Sequence, residues 1–156
     1  MALDASGLLE LLAEHELAIK HLYLTFAGAF DDVRGFWQTL AGDEQAHADR
    51  LEALLMEAGL DQWLGHQDRL KPEAIRSSVD HMREQSERAA RGELTLLQAL
   101  AVARDIEDAL IDRMVLLPGT EGHPGIDAVI SELKIETSEH RELIAEALAT
   151  EKRLRL

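Results

Sequence analysis

The sequence predicts an all-α domain: four long helices in a bundle, with one long crossover that contains a short extra helix. Three observations carry this. Leucine, alanine and glutamate dominate the composition, and all three favour helix. Hydrophobic residues make up 46% of the chain but aromatic ones only 4%. Apolar residues recur at three- and four-residue intervals along several segments, and no segment alternates as a strand would. With 156 residues, the chain reads as one domain, 1–156, long enough to bury a core.

The first helix is expected over about 6–30, capped by Ser6, with Leu8, Leu12, Ile19, Leu22 and Phe26 on one stripe. Asp31 and Asp32 mark a break and favour a new N-terminus. The second helix covers about 33–58, with Trp37, Leu40, Glu44, His47, Leu51 and Leu54 in line and Gly59 as its stop. Residues 60–71 form an irregular connection. Pro72 opens a short polar helix to about 91, which Gly92 interrupts. Thr95 can cap the next helix, 95–117, whose stripe is Leu96, Leu100, Ala103, Glu107, Leu110 and Met114. Residues 118–125, rich in proline and glycine, read as a loop. The last helix is expected over 126–152, with Ile130, Leu133, Thr137, His140, Ile144 and Leu148 inside. The short turns near Asp31 and at 118–125 make two antiparallel pairs. The connection between the pairs is long enough to cross the length of a bundle.

Charge and composition exclude several functions. A formal net charge of −14 argues against nucleic acid, whose phosphates it would repel. No run of ~18 apolar residues offers a membrane span. With no cysteine there is no disulfide, thiolate metal site, iron–sulfur cluster or cysteine nucleophile. The N-terminus lacks the basic region of a secretory signal, so a cytoplasmic location is expected.

The informative residues are polar ones on apolar stripes. Glu44 and His47, three residues apart, share a helix face, and Glu-x-x-His is the ligand unit of di-iron four-helix bundles. Glu16, Glu107, Glu136 and His140 lie on the other long helices. The interval from Glu16 to Glu44 nearly equals that from Glu107 to Glu136. A buried unpaired carboxylate is costly, and several together repel. Two divalent ions would neutralise four such acids. Carboxylates with one imidazole per ion suit iron or manganese, and zinc is possible. The expected set is therefore two iron ions held by Glu16, Glu44, His47, Glu107, Glu136 and His140. No catalytic residue is expected apart from these ligands. Glu139, three residues after Glu136, is the alternative to His140, which is favoured because it falls on the stripe.

At these residues the chain resembles the rubrerythrin branch of the ferritin-like superfamily. Ala13-Glu14-His15-Glu16, followed two turns on by Tyr23, is similar to that family's first ligand helix. Asp43-Glu44-Gln45-Ala46-His47 is similar to its Glu-x-x-His helix. Ala103-Arg104-Asp105-Ile106-Glu107 resembles the third ligand helix, and Glu136-Thr137-Ser138-Glu139-His140 the fourth. The likeness covers roughly residues 5–150. It implies a ferritin-like bundle and a di-iron oxidoreductase acting on oxygen or peroxide, in which Glu44 and Glu136 would bridge the ions, Glu16 and Glu107 would each terminate one, and His47 and His140 would each add a nitrogen. Tyr23 reads as core packing or as a hydrogen-bond donor to a ligand. The chain departs from the family in three places. Thr137 stands three residues before His140, where the family carries glutamate. No cysteine-bearing rubredoxin domain is present, so a peroxidase would need a separate electron-donor protein. Leu110 stands where some rubrerythrins have an extra glutamate.

Two other functions fit the same residues: iron binding or storage with little turnover, and a metal-free helical interaction module. Trp37, Trp63 and Phe36 read as core or interface; a homodimer is expected along the first two helices, to which Phe30, Phe36, Trp37 and Trp63 could add apolar contact area. His15 and His21 read as helix-surface residues, although His15 could line the site. His66, His81 and His123 read as structural or exposed. The run from Arg83 to Glu93 reads as a solvated face, and residues 152–156 as a fraying end.

Overall fold

The computed structural model describes residues 4–57, 60, 70–117 and 124–155. They form five α-helices, and no strand occurs among them. The helices are α1 (Ala5–Ala29), α2 (Arg34–Ala53), α3 (Pro72–Ala90), α4 (Leu96–Val115) and α5 (Pro124–Leu154). Expectations at Gly59, Trp63, His66, His123 and most of the 60–71 connection lie outside the described residues.

The ends follow local chemistry. Asp4, not Ser6, caps α1: its Oδ1 accepts from the Gly7 N–H at 2.7 Å. A carboxylate there also complements the positive end of the helix dipole, which a serine does not. A 3₁₀ turn at Asp31–Val33 leads into α2. The α-helix stops at Ala53, earlier than the predicted 58, because the last turn tightens into 3₁₀ at Leu54–Met56. Pro72 opens α3, where its missing N–H costs nothing. Gly92, at φ 72°, donates to Ala89 O while Glu93 donates to Arg88 O, a Schellman closure. Thr95 and Gln98 form a reciprocal capping box at the start of α4. The last helix begins at Pro124, so Pro124 and Gly125 belong to its first turn and not to a loop. It persists to Leu154, where the Arg155 guanidinium donates to Glu151 at 2.7 Å, so the basic end does not fray at 152.

Helix α1 packs against both α2 and α3, α4 packs against α5, and α2 touches α5. The short α3 is therefore part of the packed body. Ile75, Val79, Met82, Gln85, Ser86 and Ala89 are its buried stripe. Within 83–93, read as a solvated face, Arg83, Glu84, Glu87, Arg91 and Glu93 are exposed, while Gln85, Ser86 and Ala89 face the core. Trp37 is fully buried, with its ring 4.9 Å from Phe26 and 5.3 Å from Tyr23. It belongs to the core and is not available to a dimer face. No helix among the described residues is long and apolar enough to cross a membrane.

Candidate metal centre

Four helices each bring acids or imidazoles to one buried cluster. Glu16 comes from α1, Glu44 and His47 from α2, Glu107 from α4 and His140 from α5. The most exposed of the five, His140, is 3% exposed. Each sits among apolar neighbours one turn away on its own helix. Ile19 follows Glu16, Leu40 and Leu51 flank Glu44 and His47, Ala103 and Leu110 flank Glu107, and Ile144 follows His140; all are buried. The stripe that buries those residues carries the polar ones in with them.

Glu44 lies at the centre. Its Oε2 is 3.3 Å from His47 Nδ1 and its Oε1 is 3.0 Å from His140 Nδ1. Glu16 Oε2 approaches His47 Nδ1 at 3.8 Å, and Glu107 Oε1 approaches His140 Nδ1 at 3.7 Å. The result is two groups with ligand atoms close enough for one ion each, Glu16–Glu44–His47 and Glu44–Glu107–His140. Glu44 is common to both. The two imidazoles lie nearly parallel, with ring centroids 5.4 Å apart.

The surrounding contacts hold these groups in place. The Tyr23 hydroxyl donates to Glu107 Oε1 at 2.7 Å, and its ring packs in the core against Phe26 and Trp37. Asp43 Oδ2 lies 3.0 Å from His140 Nε2, which leaves Nδ1 turned toward the acids. Asp43 had no assigned part in the sequence reading; its signal was only its place directly before Glu44. His15 is buried and not on the helix surface, because Ser78 of α3 and Arg113 of α4 cover it. Its Nε2 is 2.9 Å from Ser78 Oγ and 3.3 Å from Arg113 Nη1. His21 and His81 are exposed, as expected.

Glu136 departs from its expected bridging role. Its half-exposed carboxylate accepts from the Arg50 guanidinium of α2. It joins neither three-residue group among the described residues, although its Oε2 is 3.7 Å from His47 Nε2. A nearby cation on the rim outcompetes the interior for it. Glu139 is exposed, so His140 and not Glu139 completes the cluster. Thr137 is buried between them in sequence, with no partner for its hydroxyl among the described residues.

Protonation reflects the crowding. Burial and the neighbouring Glu44 push the Glu16 carboxyl up to about 8. Burial alone would lower both imidazoles. Hydrogen bonds to Glu16 and Glu44 override it at His47, which rises to about 10. Bonds to Glu107 and Glu44 do the same at His140, which rises to about 11. Burial, then Glu107 and Glu44, hold the Tyr23 hydroxyl well above its usual range. His15 goes the other way, down to about 4, through burial and the Arg113 charge.

The donor set fits a pair of divalent ions. Glu16 Oε2 and Glu107 Oε2 are buried without a hydrogen-bond partner among the described residues. Orphaned acceptors of this kind are rare in folded chains. Protons held on His47, His140 and Glu16 offset the acids here, and cations would do so more directly. Comparison with family models, with curated proteins and with solved structures finds no match.

Proposed function

We propose that this chain is a ferritin-like bundle of rubrerythrin type that binds two metal ions, iron foremost, and reacts with dioxygen or peroxide as an oxidoreductase. The observation that carries the reading is Glu44, one carboxylate shared by two buried ligand groups on four helices. Oxygen donors with one imidazole per ion favour iron or manganese over zinc. A pair of Fe(II) ions supplies two electrons, enough with two protons to reduce dioxygen to hydrogen peroxide, or peroxide to water.

The protein's own groups do the rest. Glu16 would serve one ion and Glu107 the other, with Glu44 between them. His47 and His140 each lose a proton to become ligands. Tyr23 keeps Glu107 in place through its 2.7 Å bond, and Asp43 fixes the ring of His140. The buried leucines and isoleucines flanking the ligands exclude water. A separate protein would supply electrons for repeated turnover. A second reading, iron binding with little turnover, is favoured by Arg50, whose hold on Glu136 keeps one carboxylate from the pair.

The test begins with elemental analysis after anaerobic Fe(II) loading. About two ions per chain are expected, and a ratio near zero removes the reading. Mixing the loaded protein with stoichiometric peroxide or oxygen then separates the two chemistries, and slow oxidation by both supports storage.

A further inference from the structure

We propose that an apolar cavity beside Glu16 is a gas site that delivers dioxygen, in preference to hydrogen peroxide, to the cluster. The inference rests on the proposed metal function only for what the gas meets there. The cavity itself is a property of the packing.

The cavity has a volume of about 30 Å³ and lies where α1, α2, α4 and α5 meet. One water needs roughly 10–15 Å³ of such space, so the room suits a diatomic molecule. Leu12, Leu51, Leu110, Met114, Ile130 and Leu133 supply most of its wall. Glu16 and Arg113 are the polar members of its lining. One arm of the Arg113 guanidinium is engaged by His15 Nε2 at 3.3 Å. Glu16 Oε2 has no hydrogen-bond partner among the described residues. A stable buried water needs two to four polar partners, and apolar walls of leucine and isoleucine take up guests such as xenon; this pocket is partly open, and its wall is almost entirely apolar.

Selectivity follows from solvation. Dioxygen has neither dipole nor hydrogen-bonding group and enters apolar space with little loss. Hydrogen peroxide must give up several hydrogen bonds to water that these walls cannot replace. Glu16 belongs both to the cavity lining and to the Glu16–Glu44–His47 group. A guest in the cavity therefore sits directly against one ligand set.

Xenon is the probe, applied under pressure to the full-length metal-free protein and followed by xenon-129 and methyl NMR. Saturable uptake is expected, with shifts centred on the methyls of Leu51, Leu110 and Met114. Leu133→Phe fills the space and should weaken uptake about tenfold. Met114→Phe does the same from α4 should the first variant fold poorly. In Fe(II)-loaded protein both variants should keep their iron, slow oxidation by dioxygen about fivefold or more, and leave oxidation by peroxide within about twofold. Absence of saturable xenon uptake, or equal slowing by both oxidants, overturns the gas site. Xenon uptake without iron binding sinks the metal reading and leaves the cavity assignment standing; iron binding without xenon does the reverse.

Discussion

Glu44 Oε1 lies 3.0 Å from His140 Nδ1, across the gap between α2 and α5, while its other oxygen faces His47 on its own helix. One carboxylate thus serves both halves of the cluster, and the halves cannot be independent. Glu44→Gln should abolish tight binding of both ions. Glu16→Gln and Glu107→Gln should each remove one. Elemental analysis after anaerobic Fe(II) loading reads the ratio. A Glu44→Gln protein that keeps one full ion would show that the two groups do not share this residue.

Acid and metal compete for the same atoms, so affinity should depend steeply on pH. At neutral pH the folded, metal-free protein holds protons on His47 (about 10), His140 (about 11) and Glu16 (about 8). All three must leave when ions bind. Affinity should rise from pH 6 to 9, with about three protons released near pH 7. Calorimetry in buffers of different ionisation enthalpy counts them.

The same shifts set the stability of the metal-free protein, with the opposite slope. A histidine whose pKa is raised on folding stabilises fully below its unfolded value of 6.5, and the benefit is lost as pH climbs toward 10 or 11. Glu16 acts in the same direction between 4.5 and about 8, since folding favours its protonated form. His15, lowered to about 4, opposes them only as pH falls below 6.5. Urea midpoints should therefore drop between pH 6.5 and 9.5 without metal, and the drop should vanish with metal bound. A midpoint that rises with pH in the metal-free protein would mean that the cluster is not protonated as described.

In the proposed site, Tyr23 and Asp43 would act on the ligands rather than as ligands. Tyr23→Phe removes the 2.7 Å donor to buried Glu107 and should cost about 1–3 kcal/mol of metal-free stability. Asp43→Asn should weaken the ion on the His140 side by roughly 10–100-fold and leave the His47 side near its starting affinity. Equal weakening of both ions would show that Asp43 does not act through His140.

Glu44, His47, Glu107 and His140 were legible in the sequence because each interrupts a regular apolar stripe, and the stripe decides what a helix buries. Helix number and order followed from the same periodicity. What escaped depends on distant partners. His15 is buried because Ser78 and Arg113 reach it from α3 and α4, and nothing near position 15 announces them. Trp37 reads as core or interface, and Tyr23 and Phe26, which enclose it, decide for the core. Glu136 stands outside both three-residue groups for a related reason. It flanks the stripe of Leu133, Thr137, His140 and Ile144 rather than lying on it, and its partner Arg50 belongs to another helix.

Arg50 and Glu136 give the last prediction. The pair is partly exposed, so breaking it should cost the fold only about 0–1 kcal/mol. What Arg50 controls is the reach of a carboxylate already 3.7 Å from His47 Nε2. Arg50→Gln should release Glu136 toward the Glu16–Glu44–His47 group and tighten that ion roughly several-fold, since each added carboxylate strengthens a hard cation site. The double variant Arg50→Gln/Glu136→Gln should return to the starting affinity, because the gain passes entirely through Glu136. Stepwise titration with Fe(II) or Mn(II) separates the two ions and shows which one responds. If Arg50→Gln weakens the first group instead, the guanidinium is holding Glu136 in service of the site, and the carboxylate is already where the ion needs it.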